Sequence, residues 1–573
     1  MNKKIFAALA SATMALSATG SLAVFAEDFD VVTEADGNNG VVSGVVIPNS
    51  GIVINEENFP DKAFRQDILN GKVVTGTTYQ YGDKISKKEA ESVKTLTIGD
   101  GVANTAGIEY FTNLETVATA NASANALETV DLSKNVKLEI IDFLNVPELT
   151  TLSVPATKVL QNVKIVGGKA DTTASNGLTG PFGTGGAYLP TGSYDAETLA
   201  PKAYAPIFNL DLSANKGLES VTVVATNIAN IDLSNNIYLE NVNVAGNKIN
   251  TLDLTNNDAL TTLVCASNQL YSLDLPETDQ LTTLAASNNI LQSIDLSSAR
   301  GLRKLFLQHN ELRSLDLSAQ TNLHNLNVAY NHIGALDVSA TNVKSGIEEV
   351  SPQIVYVDSA YDAVNLTDSF ADLDKDEVRQ VYKDTWDKKA GQLTISNDGP
   401  TNGKTDWTQY FYDVNGQGKM QVYVMKEAVL NRLYNPNSGE HFYTRDLEEK
   451  DALVKLGWQD EGIGWTAPTK SNTPVYRLYN PNAGDHHYTK RSTERDVLVS
   501  VGWKYEGVGW YSYDSNIVIP QVNKTIHTVD VVREYNPNAK AAGAHNYTVN
   551  RAENDFLVSI GWLDEGVAWQ AMK

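Results

Sequence analysis

The chain has 573 residues, which is too long for one hydrophobic core and predicts two to four units. Its net charge of -24, with no basic block, argues against nucleic acid as a partner, because the protein's own field repels phosphate. The single cysteine, Cys265, excludes an internal disulfide.

Residues 1–26 predict a secretory signal peptide. Two lysines precede an apolar run from Ile5 to Leu16, and small residues continue to the expected cleavage before Glu27. No later apolar run approaches the roughly 18 residues that a membrane helix needs. The sequence shows no wall-sorting motif at its end. We therefore expect a secreted, extracellular protein, either released or held non-covalently on the cell surface.

Residues 51–113, which follow a linker over residues 27–50, predict a helical cap. Phe64 and the apolar residues after it have helical spacing, and Ser86 with Glu89 matches a capping box. The segment resembles the N-terminal cap that precedes leucine-rich repeats in secreted bacterial proteins. Such caps often contain a calcium loop. Here Thr78, Gln80 and Gly82 stand where acidic ligands are needed, so we expect no calcium.

Residues 114–345 predict a leucine-rich-repeat solenoid with an insertion over residues 167–206. The pattern L-x-x-L-x-L-x-x-N-x-L-x-x-L-D-L recurs every 21 residues, a period and spacing typical of leucine-rich repeats. One short strand per turn stacks on its neighbours, because no turn can bury its apolar side alone. We expect the insertion, rich in Gly, Thr and Ala, to form a mobile loop, and the alternative is a functional loop. The regular turns open at Leu218, Leu239, Leu260, Leu281, Leu302 and Leu323.

Two positions of the repeat are predicted to be structural. An asparagine stands eight positions after the opening leucine, where its amide can satisfy backbone groups of its own and adjacent turns. Cys265 falls on an inward position equivalent to Leu307, which predicts a small buried hydrophobe and not a nucleophile. The asparagines are Asn247, Asn268, Asn289, Asn310 and Asn331.

Binding on such a solenoid is expected on its concave face, where strand alternation turns the residues between inward leucines toward solvent. Early turns have mainly small side chains there, whereas the last two turns have long polar and aromatic ones. Aromatic rings give contact area and amides fix orientation, so we predict a site for a protein partner. The alternative is ordinary surface near the cap. The predicted residues are Lys304, Phe306, Gln308, His309, Asn325, Asn327 and Tyr330.

Residues 346–428 lack the 21-residue period and predict a β-rich cap over the solenoid end. The acidic run at 372–377 predicts the first turn of a helix, which carboxylates stabilise. Alternating residues at 410–414 and 420–424 predict a hairpin. This segment resembles the β-rich terminal cap that follows such bacterial repeats.

Residues 429–573 contain a second repeat in three copies. Each copy has Tyr-Asn-Pro-Asn, His-x-Tyr-Thr, a short helical stretch and Gly-Trp-x-x-Glu-Gly-x-x-Trp. Threefold repetition predicts a β-rich pseudo-threefold domain, comparable with a trefoil, with one helix per unit. The motifs resemble a secreted bacterial repeat family of unassigned function that occurs on surface proteins and wall hydrolases.

Aromatic and charged side chains of these copies would suit sugar binding, because rings cover apolar sugar faces and charged groups bond hydroxyls. Three weak sites would give avidity for a cell-wall or extracellular glycan. The competing interpretation places the tryptophans in a core and makes the repeated histidines structural. The third copy departs most, with Glu534 in a leucine position and Ala544 in an acidic one. The predicted glycan-binding residues are Arg432, Tyr434, His441, Tyr443, Trp465, Arg477, Tyr479, His486, Tyr488 and Trp510.

No nucleophile motif, zinc-protease helix, phosphate loop or cysteine–histidine arrangement is visible, so we expect no catalytic residue, metal or cofactor. The leading hypothesis is a secreted or cell-surface binding and adhesion protein, with a protein partner on the solenoid and a glycan on the C-terminal repeats. One alternative is a glycan-active hydrolase, which needs two carboxyls at a set separation. The other is a structural surface-layer component.

Overall fold

The computed structural model describes residues 45, 47–120, 126–167, 205–343, 350–358, 363–370, 373–382, 385–395, 407–468, 471–514, 516–519, 524–526, 528–539 and 542–572. The predicted signal peptide, nearly all of the linker, and the insertion between Gly167 and Ala205 lie outside these residues. Within the described part of the chain, no helix combines the length and apolar character needed to cross a membrane.

The N-terminal cap contains the two helices that the sequence predicts. Asp61 caps the first helix and Ser86 caps the second, where the capping box with Glu89 is complete. Phe64 and Ile68 are buried, so the first helix packs its apolar side against the solenoid end. The elements are β1 (Ile52–Val53), α1 (Lys62–Leu69), β2 (Lys84–Ile85) and α2 (Lys87–Ser92).

The solenoid is built on one ten-stranded parallel sheet, with two pairs of short parallel strands on a second side. Its strands in chain order are β3 (Thr95–Ile98), β4 (Thr116–Thr119), β5 (Thr129–Asp131), β6 (Ile140–Leu144), β7 (Thr151–Ser153), β8 (Asn162–Val166), β9 (Ser220–Val224), β10 (Asn241–Asn243), β11 (Thr251–Asp253), β12 (Thr262–Val264), β13 (Ser272–Asp274), β14 (Thr283–Ala285), β15 (Lys304–Phe306) and β16 (Asn325–Asn327). Strands β5 with β7 and β11 with β13 form the second side, and the other ten form the main sheet. The leucine-rich-repeat prediction is confirmed, and β3 begins the sheet inside the segment that we assigned to the cap.

The asparagine ladder joins the turns as predicted. Asn310 Nδ2 donates to Leu307 O of its own turn and to Ala286 O of the preceding turn, at 2.9 and 3.0 Å. Its Oδ1 accepts from Leu291 N at 3.1 Å. Cys265 is fully buried, and burial raises the pKa of its thiol to about 12, which confirms a core residue.

The C-terminal cap continues the solenoid's hydrogen bonding. Gln353 Nε2 donates to Val328 O at 2.8 Å, and its Oε1 accepts from Ile333 N at 3.2 Å, so this glutamine takes the place of the next asparagine. The cap elements are β17 (Gln353–Asp358), β18 (Ala363–Asn365), α3 (Leu366–Ser369), β19 (Val378–Tyr382), β20 (Trp386–Asp387), β21 (Gln392–Thr394), β22 (Trp407–Asp413) and β23 (Lys419–Tyr434). The predicted hairpin is confirmed by β22 and β23.

The helix that we expected after the acidic run at 372–377 is wrong. Residues 375–377 form a turn, and β19 follows, paired with β22. Arg379 binds Glu377, which directly precedes β19, at 3.0 Å and Asp413 of β22 at 3.3 Å. Sheet pairing therefore overrides the local preference of carboxylates for a helix start.

The last strand of the cap is also the first strand of the C-terminal domain. β23 is 16 residues long, and it pairs with β17 and β22 in the cap and with β24 and β25 in the first repeat unit. The boundary that we predicted between residues 428 and 429 thus falls inside a continuous strand. The two regions share a sheet instead of a flexible linker.

Each of the three C-terminal units contains a three-stranded antiparallel sheet and one helix. The elements are β24 (His441–Thr444), α4 (Leu447–Lys455), β25 (Gln459–Pro468), β26 (Thr473–Asn480), β27 (Asp485–Thr489), α5 (Ser492–Ser500), β28 (Lys504–Ser512), β29 (Ile517–Ile519), β30 (Lys524–Ile526), β31 (Val529–Tyr535), β32 (His545–Thr548), α6 (Arg551–Ser559) and β33 (Leu563–Ala571). The end of β23 is the first strand of unit one, and β29 with β30 form a separate hairpin before unit three. The β-rich, threefold repeated organisation is therefore present.

Candidate functional sites

The residues predicted to bind a protein partner lie on the outer face of the main sheet, opposite the buried leucines. Asn325 is exposed, and Lys304, His309, Asn327 and Tyr330 are half-buried. Because Leu305 and Leu326 point into the core, their neighbours in β15 and β16 point outward. The alternation of strand residues thus places Lys304, Asn325 and Asn327 on one surface, whereas His309 and Tyr330 follow the two strands by three residues.

Phe306 and Gln308 do not fit the predicted exposed cluster. Their relative exposures are only 7% and 6%. Phe306 packs with Ala245, Val264, Ala266 and Ala285 in a small apolar cluster on the outer side of the sheet, separate from the main core. Phe306 therefore packs against its neighbours on this face and does not offer an exposed ring to a partner.

His309 and Tyr330 are the two rings that stand together on this face. They occupy equivalent positions in consecutive turns, and their rings stack with centroids 4.4 Å apart and planes 18° apart. Both residues have left-handed backbone, with φ of 57° and 60°. Asn288 adopts the same conformation one turn earlier, at φ 53°, and asparagine tolerates it better than histidine or tyrosine.

The aromatic residues that were predicted to cover sugars in the C-terminal repeats are largely core. Tyr443, Trp465, Tyr488 and Trp510 are at most 1% exposed, so these four cannot stack on an external polymer. The indole rings of Trp465, Trp510 and Trp569 meet one another with centroids 5.5–5.8 Å apart. The core interpretation of the tryptophans applies to these three.

A cyclic set of hydrogen bonds joins the three units of the C-terminal domain. The hydroxyl of Tyr488 accepts from Tyr443 N, that of Tyr547 accepts from Tyr488 N, and that of Tyr443 accepts from Tyr547 N. Each distance is 3.1 Å. The tyrosine that repeats in all three copies thus joins each unit to the next and closes the units into a ring.

The repeated arginines bind carboxylates on two sides. Arg432 Nε lies 2.8 Å from Glu461 of its own unit, and its other nitrogens contact Glu553 of unit three at 2.6 and 2.9 Å. Arg477 makes the same pair of contacts with Glu506 and with Glu449 of unit one. Arg533 completes the cycle with Glu565 and Glu494. These arginines therefore hold neighbouring units together.

Burial and the arginine charges set the protonation states of the histidines and glutamates that lie beside these arginines. Burial, with the nearby Arg432, lowers the pKa of His441 to about 3, so its imidazole is neutral at physiological pH. Burial lowers the pKa of His545 to about 3 as well, with His487 and Arg533 adding to the effect. Burial alone would raise the pKa of Glu553, but the hydrogen bonds and charge of Arg432 outweigh it and lower that pKa.

The predicted tyrosines and histidines form one ring contact in each of the first two units. Ring centroids are 5.0 Å apart for Tyr434 and His441, and 4.9 Å apart for Tyr479 and His486. All four side chains are half-buried. The third copy repeats the pair with Tyr535 and His545 at 5.3 Å. The structure thus brings together one aromatic pair per unit, beside the ion pairs.

The two substitutions in the third copy, Glu534 and Ala544, change the local hydrogen bonds. Glu534 is fully buried in a leucine position and accepts from Asn554 Nδ2 at 2.9 Å and from Asn546 Nδ2 at 3.3 Å. Burial raises its pKa to about 7. Glu440 accepts from His486 in the next unit at 2.6 Å, a contact that Ala544 cannot reproduce. The described residues contain no group of three or more His, Cys, Asp or Glu side chains placed to hold a metal ion.

Sequence reasoning missed the acidic half of the inter-unit contacts. Glu449, Glu494 and Glu553 stand at the same place in each copy, near the start of the helix. That threefold repetition of an acidic residue opposite a repeated arginine was the available signal. Only the fold shows that each pair joins different units.

Comparison with known proteins adds a family match to part of the chain. Residues 429–572 match the family model described as a domain of unknown function (DUF5648). The chain is similar to InlP of Listeria monocytogenes, at 16% identity and a TM-score of 0.38, over 66% of this chain and 99% of that one. For the functional domain of InlJ from Listeria monocytogenes the values are 19%, 0.24, 65% and 98%.

A leucine-rich-repeat protein of Leptospira interrogans, LIC12759, is also similar, at 16% identity and a TM-score of 0.30, over 45% of this chain and 65% of that one. No curated protein matches the chain. The assignment of the solenoid rests on its own strand register and repeat period.

Proposed function

We propose that the protein is a secreted or cell-surface binding protein whose solenoid takes a protein partner on Lys304, His309, Asn325, Asn327 and Tyr330. The observation that supports this most is the stacked pair of His309 and Tyr330, which presents a flat aromatic surface beside amide groups. Rings of this kind contribute a large part of the energy in protein interfaces. Their left-handed backbone is shared by the equivalent residues Ala225, Gly246, Ser267 and Asn288, so the turn imposes it and the proposal rests on the two rings.

A photo-crosslinking experiment with the full chain tests this proposal. A benzoylphenylalanine residue at Asn325 should capture a protein from the surface of neighbouring or host cells, whereas the same residue at Asn256, away from this face, should not. The captured protein is then purified and its affinity measured. His309→Asn and Tyr330→Asn should each weaken binding about tenfold or more.

Asparagine is the matched replacement, because Asn288 already occupies the equivalent position in left-handed conformation. Tyr238→Ala removes an exposed aromatic elsewhere on the solenoid and serves as control. Equal affinity for all four chains would show that the His309–Tyr330 surface is not the binding site.

The C-terminal repeats are proposed as a second binding module, for cell-wall or extracellular glycan. Support comes from the half-buried Tyr434–His441 and Tyr479–His486 pairs, which repeat around the domain. A full chain with Tyr434→Ala, Tyr479→Ala and Tyr535→Ala should lose co-sedimentation with insoluble wall polysaccharide. Full retention would refute the module.

The hydrolase alternative receives little support from the described residues. Burial raises the pKa of Glu427 and of Glu534 to about 7, but neither side chain reaches solvent. Glu449 and Glu506 line one small cleft of about 170 Å³, where both carboxylates bind Arg477. A carboxyl bound in this way is poorly placed to transfer a proton to a sugar.

A further inference from the structure

A cleft of about 520 Å³ opens on the side of the solenoid between two consecutive turns. Residues 150–154 form one wall, and residues 208–211 with Asn215 form the other. The same turns are hydrogen-bonded through β6 and β8 in the main sheet. They meet again where Asn215 Nδ2 donates to Pro155 O at 2.8 Å and to Thr157 O at 3.0 Å. The gap is therefore fixed by backbone pairing at one end and by the Asn215 side chain at the other.

The lining combines an aromatic ring with neutral and acidic polar groups. Phe208 is 61% exposed, a high value for a phenylalanine. Thr150 and Thr151 are exposed on the facing wall, and Asn209 and Asp211 are exposed next to Phe208. A ring face covers the apolar face of a sugar, while hydroxyl, amide and carboxylate groups bond its hydroxyls. The cleft volume also lies within the range of about 300–1,000 Å³ that is usual for small-molecule sites.

The charge around the cleft selects against an anionic ligand. Asp211 is followed at the same repeat position by Asp232, Asp253 and Asp274, all exposed on consecutive turns. Hydrogen bonds from Ser213 lower the pKa of Asp211, which therefore remains ionised at neutral pH. With a chain net charge of -24, a phosphate or uronate group would be repelled. A neutral ligand fits this field.

A second exposed ring extends the surface along the solenoid. Tyr271, also 61% exposed, occupies the repeat position of Phe208 three turns later. The small residues Ala229 and Asn250 stand between the two rings at that position. Since adjacent parallel strands lie about 4.8 Å apart, the rings are separated by about 14 Å. That spacing leaves an open path for a chain of several sugar units.

We propose that this cleft and the surface that leads across Ala229 and Asn250 to Tyr271 form a binding site for a neutral oligosaccharide. One sugar unit lies in the cleft against Phe208, with its hydroxyls bonded by Thr151, Asn209 and Asp211. The chain then runs across Ala229 and Asn250 to the ring of Tyr271. This site is distinct from the sheet face that we propose for the protein partner and from the C-terminal repeats.

Saturation-transfer NMR and calorimetry on the full chain test the site with cellohexaose, chitohexaose, maltohexaose and xylohexaose, and with the disaccharide of each series. At least one hexasaccharide should bind. Phe208→Ala should weaken its binding about tenfold, and Asp211→Asn should weaken it less. Tyr271→Ala should weaken the hexasaccharide but leave the disaccharide unchanged, because a disaccharide cannot reach the second ring.

Tyr238→Ala is the matched control, since Tyr238 is 59% exposed but does not line the cleft. Thermal unfolding of each variant confirms that the solenoid is intact. Absence of binding by all four hexasaccharides would overturn the proposal, as would equal affinity of the Phe208→Ala chain. Binding that is lost in the C-terminal tyrosine triple variant but kept in Phe208→Ala would assign the sugar to the repeats instead.

Discussion

Arg432 and Glu553 are 121 residues apart in the chain, yet two guanidinium nitrogens of Arg432 donate to the two carboxylate oxygens of Glu553 at 2.6 and 2.9 Å. This contact joins the first and third units and closes the ring. The equivalent contacts of Arg477 and Arg533 join units that are adjacent in sequence. This bidentate pair therefore contributes to closure of the domain, together with the hydrogen bond from Tyr547 N to the Tyr443 hydroxyl.

Arg432→Met should lower the free energy of unfolding of the C-terminal domain by about 2–3 kcal/mol, because it leaves a partly buried carboxylate without its partner. Urea unfolding of the full chain, followed by tryptophan fluorescence, measures the change. Arg551→Met is the control, since the Arg551–Asp530 pair is largely exposed and should contribute less than about 1 kcal/mol. Equal effects of the two substitutions would argue against ring closure by Arg432.

Glu427 should make the junction between the cap and the C-terminal domain sensitive to pH. It is fully buried on β23 and accepts hydrogen bonds from Thr466 and Tyr513. Burial raises its pKa from 4.5 to about 7. Between these values the unfolded chain releases the proton while the folded chain retains it, so stability falls as pH rises, by roughly 3 kcal/mol once pH exceeds about 7.

Glu427→Gln should remove that loss, so its unfolding free energy should exceed that of the wild type at about pH 8 and match it more closely at about pH 5. Glu534 carries the same upward shift and will retain part of the pH dependence in the single variant. Unfolding curves at the two pH values, for the single variant and for the double variant with Glu534→Gln, test this. An unchanged pH dependence in the double variant would contradict it.

Asn310→Ala should destabilise the solenoid by about 2–4 kcal/mol, because two backbone carbonyls and one N–H lose their partner in a buried turn. Far-UV circular dichroism during thermal unfolding measures the effect. Asn325→Ala, at an exposed position of the next turn, should change stability by less than about 0.5 kcal/mol. If the two variants unfold alike, the ladder is not a major source of stability.

The thiol of Cys265 should be unreactive in the folded protein. It is fully buried, and burial raises its pKa to about 12. A thiol reagent such as dithionitrobenzoate should label it only after addition of denaturant, since the thiolate is the reactive form. Rapid stoichiometric labelling under native conditions would contradict its place in the core.

The sequence predicted the candidate binding sites only in part. The alternation around Leu305 and Leu326 predicted an exposed cluster from Lys304 to Tyr330. It could not show that Phe306 packs on alanines of earlier turns or that Gln308 is buried. In the same way, the triple repeat identified Tyr443 and Trp465 as candidate glycan-binding residues. Whether such rings face a ligand or one another depends on how the units close.

The sequence by itself determined the solenoid, its asparagine ladder, the capping box at Ser86 and the threefold repetition of the C-terminal domain. Each follows from local periodicity or from contacts between neighbouring turns. Only the tertiary structure decided that β23 joins the cap to the repeats, that Arg432 reaches Glu553, and that a cleft opens beside Phe208. These depend on contacts between residues far apart in the chain, which no periodicity encodes.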